Sequence, residues 1–163
     1  GGTLRCSHRS DAVRVLAFDL SLISTGVAHG GGTERITPKT KGVERLAEIR
    51  DTVRLLVLRH TPEVVAVEGY AYARANQAHQ IGELGGVVKL LLRDMGFTVE
   101  NGGLLIIAPS ALKKWATGRG DASKERMLET AIREYAFEGH GNDEADAWLL
   151  YLMALDALRP GVA

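Results

Sequence analysis

Asp19 and Glu68 each close a short apolar run, AVRVLAFD (12–19) and VVAVE (64–68). Runs of this length, rich in apolar and β-branched residues, read as buried strands, so each acid stands at a strand's C-terminal end. In α/β sheets that edge is where ligands and catalytic groups collect. Asp143 and Asp146 are spaced i, i+3 at the head of an apolar segment, on one face of a helix's first turn. Four carboxylates drawn together would resist joint ionisation unless a cation neutralised them. Oxygen donors without cysteine select Mg²⁺ or Mn²⁺. Two such ions about 4 Å apart would activate a water and stabilise the leaving 3′ oxygen in phosphodiester hydrolysis. Plainer roles stay open for three of the acids. Asp143 and Asp146 suit a helix N-terminus through its dipole, and Asp19 suits a turn. Glu68 has no such capping role.

The elements that must carry these residues follow from periodicity. A strand over 12–19 is followed by a turn over 20–25 and a returning strand over 26–29. Gly30-Gly31-Gly32 marks a hairpin into a third strand at 33–37. Val43, Leu46, Ile49, Val53 and Leu56 define an amphipathic helix over 43–58, stopped by Thr61-Pro62. The strand at 64–67 leads to a second helix over 75–95, with Ile81, Leu84, Val88, Leu91 and Met95 on one face. Gly82, Gly85 and Gly86 cost that helix about 1 kcal/mol each relative to Ala. Close helix–sheet packing is the favoured reason for them, and close approach of a partner the other. A strand over 104–108 precedes a helix over 109–115 opened by Pro109, and two more helices follow over 122–137 and 143–158. The order is mixed α/β, with antiparallel strands first and parallel ones later.

Composition fits one globular domain over 12–160, preceded by a tail over 1–11 that is disordered or left over from cloning. Of 163 residues, 45% are hydrophobic and 25% charged, outside the range of disordered chains. No apolar run is long enough for a membrane span, the first eleven residues lack a signal peptide's apolar core, and Cys6 stands alone, which points to the cytoplasm. Twenty basic residues against twenty acidic give a net charge of +0, unusual for a nucleic-acid binder. The balance is local, however. Between 109 and 133 stand Lys113, Lys114, Arg119, Lys124, Arg126 and Arg133 against only Asp121, Glu125 and Glu129.

FDLSLISTGVA (18–28), VVAVEGYAYARANQAHQIGELGGVV (64–88), PSALKKWATGRGDASKERM (109–127) and GHGNDEADAWLLYLMAL (139–155) occur in this order. Together they resemble the motifs of the RuvC Holliday-junction resolvases, closest to phage-type members. The resemblance implies a ribonuclease H-like fold with a five-stranded mixed sheet flanked by helices. It implies a structure-selective endonuclease that cuts four-way junctions, and forks and flaps besides, in DNA recombination and repair. Asp19, Glu68, Asp143 and Asp146 match the family's catalytic metal ligands for two Mg²⁺ ions, with Mn²⁺ able to substitute. Asp19 would bridge both ions, Glu68 and Asp146 would each hold one, and Asp143 would lie near the second. Lys114 and Lys124 match lysines that contact DNA, although a one-residue shift would put Lys113 in place of Lys114; Arg119 joins them in the basic segment. Tyr70 or Tyr72 matches an aromatic that stacks on a base near the crossover, with Arg74 beside it on phosphate. Paired cuts on opposing strands imply a homodimer, with the 75–95 helix as its interface.

Two other functions share these features. An actin- or sugar-kinase-type ATPase uses a similar first motif but needs a second lobe to close over nucleotide. A junction-binding module without cleavage would keep the basic segment and dispense with the metal.

Overall fold

The computed structural model describes residues 12–69 and 75–160. Three strands come first: β1 (Val15–Asp19), β2 (Thr25–His29) and β3 (Gly32–Ile36). Helix α1 (Gly42–His60), strand β4 (Val64–Glu68), helix α2 (Ala75–Asp94) and strand β5 (Leu104–Ile107) follow. The chain ends in α3 (Pro109–Thr117), α4 (Lys124–Glu134) and α5 (Asn142–Ala157). The five strands form one sheet in the order β3-β2-β1-β4-β5. β1 runs antiparallel to β2, and β2 to β3, while β4 is parallel to both β1 and β5.

Alternation along the strands divides the interior between two faces of the sheet. Leu16, Phe18, Val27, Val65 and Val67 pack with Ile49 and Val53 of α1 and Leu84 and Val88 of α2. Val15, Ala17, Ala28, Val64 and Ala66 pack with residues of α3, α4 and α5. The second face is lined with alanine at the centre of β1, β2 and β4, and α5 answers with the fully buried Ala145, Ala147 and Ala154. Small side chains on both surfaces let α5 lie close against the middle of the sheet. Because the side-chain period of a strand is two, Asp19 shares the face of Val15 and Ala17, and Glu68 that of Val64 and Ala66. Both acids therefore face the side that α5 covers.

Helix boundaries differ from expectation where local chemistry sets them. α1 runs on to His60 because Thr61, in the left-handed region at φ 43°, caps it with an N–H bond to the Val57 carbonyl. α4 begins only at Lys124, because the Ser123 side chain accepts the Arg126 N–H and holds the N-cap. It stops at Glu134, two residues before Ala136 at φ 53°. The glycines of α2 also correct the sequence reading. Gly85 is buried, but a Cβ added at Gly82 or Gly86 would meet nothing within 4 Å. Close packing against the described residues is therefore not the reason for those two glycines.

Candidate active site

The β1–β2 turn holds the first acid in place. Thr25, fully buried, accepts the Ser21 N–H at 3.0 Å and donates its hydroxyl to the Ser21 carbonyl at 2.9 Å. The Ser21 hydroxyl in turn accepts the Ile23 N–H at 3.2 Å. This reciprocal pair closes the turn directly after Asp19. Opposite Asp19 in the antiparallel register stands Gly26. A Cβ there would collide with the Asp143 carbonyl oxygen and would lie 2.6 Å from its carbonyl carbon and 3.1 Å from Ala147 Cβ. Gly26 thus lets the first turn of α5 rest on the sheet beside Asp19, one of the uses of glycine within a strand.

Glu68 follows from the other neighbour of β1. Phe18 pairs with Val67 in the parallel ladder, and the next step of that register sets Glu68 beside Asp19. On α5, Glu144 ties the helix start to β3, accepting the Thr33 hydroxyl at 3.1 Å and pairing with Arg35 at 2.9 Å. Asp143 and Asp146 then lie over the ends of β1 and β4.

The electrostatics put the four acids within range of one another's charge. Burial, followed by the charges of Glu68, Asp146 and Asp143, pushes the Asp19 carboxyl well above its ordinary range, with Lys124 opposing. Burial and then Asp146 push Glu68 up to about 7, against Lys113. Burial and then Asp143 push Asp146 up to about 6, against Lys124 and Lys113. Among the described residues, no side-chain hydrogen bond or ion pair reaches Asp19, Glu68, Asp143 or Asp146.

Of the basic residues, Lys113 on α3 and Lys124 at the start of α4 act on the cluster. Lys124 sits at a helix N-terminus, against the dipole's preference for negative charge. Lys114 is exposed, and its charge is absent from the influences on the shifted acids. Arg119 is exposed and engaged with Asp121 at 3.2 Å. Tyr70, Tyr72 and Arg74 lie outside the described residues. Trp148 donates its indole N–H to the Tyr135 carbonyl at 2.9 Å, and Trp115 stacks on Tyr135 at 5.1 Å between centroids. These contacts brace the lysine-bearing helices against α5.

Sequence reasoning missed Gly26 as a contact point and Glu144 as a tether. A glycine between the β-branched Thr25 and Val27 was the available signal for the first; nothing local marks the second.

A mixed sheet of this order, with helices on both faces and a terminal helix packed on it, is a ribonuclease H-like fold. A model of the crossover junction endodeoxyribonuclease RuvC family matches residues 13–152, and the chain belongs to that family. Its activity is accordingly that of an endonuclease that resolves Holliday junctions. Relatives named crossover junction endodeoxyribonuclease RuvC include one from Rhodococcus jostii, 31% identical over 153 residues, covering 85% of this chain and 78% of its own. Another, from Synechococcus sp. WH7803, is 28% identical over 149 residues, covering 83% of this chain and 93% of its own. The Thermus thermophilus RuvC structure superposes with a TM-score of 0.70 at 23% identity, over 89% of this chain and 95% of that one. The likeness to that structure supports the fold. Family membership sets aside the ATPase reading.

Proposed function

We propose that the chain cuts branched DNA, four-way junctions above all, by hydrolysis at a centre of two Mg²⁺ ions held by Asp19, Glu68, Asp143 and Asp146. The observation that carries this reading is the set of neighbouring acids whose carboxyls burial and mutual repulsion push upward, a repulsion that Lys113 and Lys124 offset only in part. That donor set fits hard divalent cations, for which oxygen ligands are preferred and Mn²⁺ would substitute. When bound, the ions supply charge neutralisation and Lewis-acid polarisation at the scissile phosphate. Asp19, beside Glu68 and the α5 acids, would serve both ions; Glu68 and Asp146 would each hold one, with Asp143 near the second.

The remaining work belongs to the chain's own groups. Lys113 and Lys124 would hold phosphates on either side of the acids, and Lys114 and Arg119 would meet backbone farther out. Tyr70 or Tyr72, with Arg74, would contact the branch point. Affinity then rests on phosphates and selectivity on branch geometry. Cleavage would leave a 5′ phosphate and a 3′ hydroxyl. The T. thermophilus relative was solved with a Holliday junction substrate, at 22% identity and a TM-score of 0.70.

Two cuts in opposing strands call for two such sites, so the working unit is a homodimer. α2 is its interface: Gly82, Gly86 and the exposed Leu90 fall at i, i+4 and i+8 on one helix face. Among the described residues no helix is long and apolar enough to cross a membrane, and the substrate places the enzyme in the cytoplasm of a bacterial or phage-infected cell. The test compares four-way, fork, flap and linear substrates with Asp19→Asn and Asp146→Asn. Loss of cleavage with retained junction binding supports the reading. Undiminished cleavage refutes the centre, and equal cutting of linear duplex refutes branch selectivity.

A further inference from the structure

The opposite end of β2 carries a second constellation that the nuclease chemistry does not use. His29 lies three residues along β2 from Gly26, about 10 Å at the rise of a strand. Its side chain shares the sheet face of Val27, away from α5. Glu34 on β3 pairs with Val27 and projects from that same face. The last residue of α1, His60, closes the group. His29 Nε2 lies 3.1 Å and His60 Nε2 3.8 Å from Glu34 Oε2, and the three donor atoms all fall within 4.8 Å of one another.

We infer that His29, Glu34 and His60 form a binding site for a Zn²⁺-class transition-metal ion, separate from the carboxylate centre. Two imidazoles and one carboxylate form a donor set that zinc takes with a fourth position left to water. Bonds of about 2.0–2.1 Å in tetrahedral geometry put neighbouring donors roughly 3.3 Å apart, close to the 3.1 and 3.8 Å present here. Nitrogen ligation disfavours Mg²⁺, so this set and the catalytic acids differ in metal preference.

Two observations support the assignment. The His60 Nε2 atom is buried and has no hydrogen-bond partner, an arrangement that is costly unless something satisfies the nitrogen. The site also sits at the C-terminus of α1, where the helix dipole favours a cation.

Binding requires two local adjustments. The His29 and His60 rings now stack at 4.0 Å with 27° between their planes, so they must open relative to each other for both Nε2 lone pairs to meet one ion. His29 Nδ1 now accepts the Gly31 N–H at 3.1 Å, which places the ring proton on Nε2, facing Glu34. Coordination through Nε2 moves that proton to Nδ1 and releases the exposed Gly31 amide to water. The ion would tie the β2–β3 hairpin to the end of α1.

The experiment titrates Zn²⁺ into the full chain under saturating Mg²⁺ by calorimetry. Co²⁺ is the optical probe, because its visible bands report nitrogen ligation. One Zn²⁺ per chain is expected, retained in Asp19→Asn and weakened at least about tenfold in His60→Gln and in Glu34→Gln. Zn²⁺ should shift the Gly31 amide resonance in wild type and in Asp19→Asn, but not in His60→Gln. Circular dichroism and junction cleavage in Mg²⁺ check that both substituted proteins are folded. Three results would each overturn the inference: no Zn²⁺ uptake, uptake abolished by Asp19→Asn alone, or uptake unchanged in folded His60→Gln and Glu34→Gln.

Discussion

Gly26→Ala tests whether the active site depends on how closely α5 approaches the sheet. The added methyl would collide with the Asp143 carbonyl oxygen, lie 2.6 Å from its carbon and 3.1 Å from Ala147 Cβ, where ordinary contact begins near 3.4 Å. Backbone on one side and a buried alanine on the other leave no flexible side chain to yield, so α5 must lift by on the order of 1 Å to restore normal contact. Overpacking of this kind costs about 1–3 kcal/mol. The larger effect falls on chemistry, because Asp143 and Asp146 ride on the displaced turn while Asp19 and Glu68 stay with the sheet. A misplacement of roughly 1 Å lowers rates by about 100-fold. Single-turnover cleavage of a four-way junction in Mg²⁺ measures the rate, and urea unfolding the stability. Gly86→Ala is the control: its methyl meets nothing within 4 Å, so the folded chain should gain about 0.8–1 kcal/mol, while dimerisation weakens if α2 is the interface. A Gly26→Ala protein with wild-type rate and stability would refute the close-approach argument.

Three further outcomes are expected. In EDTA, stability should fall as pH rises from about 4.5 through 7. Glu68 at about 7 and Asp146 at about 6 bind more protons folded than unfolded in that window, so the slope of unfolding free energy with pH is negative. Saturating Mg²⁺ should flatten that slope, and urea melts at the two ends of the window read both effects. Thr25→Val removes both halves of the reciprocal bond with Ser21 and should cost about 1–3 kcal/mol, with a slower cleavage step from a loosened Asp19; thermal unfolding and single-turnover rates check it. Lys113→Ala should slow cleavage by on the order of 100-fold, while Lys114→Ala mainly lowers the salt dependence of junction binding by about one phosphate contact. Equal losses in the two would contradict the placement of Lys113.

Much of the candidate site's placement was legible because it follows local periodicity. The runs ending at Asp19 and Glu68 announce strands, and the i, i+3 spacing of Asp143 and Asp146 announces a shared helix face. The antiparallel start and parallel continuation of the sheet follow from the hairpin glycines and the later alternation of helix and strand. Which lysine serves the acids was not legible. Lys113 and Lys114 are adjacent, and only the packing of α3 through Leu112 and Ala116 turns one toward Glu68. The α2 glycines misled for a related reason: a pattern within one helix cannot say whether the facing surface is this chain, another chain or solvent.

The sequence by itself determined the acids, their places at strand ends and on one helix turn, and the metals such oxygens prefer. Tertiary structure decided that their charges act on one another. Asp19 and Asp143 come together only because alanines on both surfaces, and the missing side chain at Gly26, let α5 lie against the sheet. His29, Glu34 and His60 converge only because a hairpin and the end of α1 abut. Periodicity encodes the direction a side chain takes from its own element, whereas the distance between elements depends on the volumes of every residue packed between them.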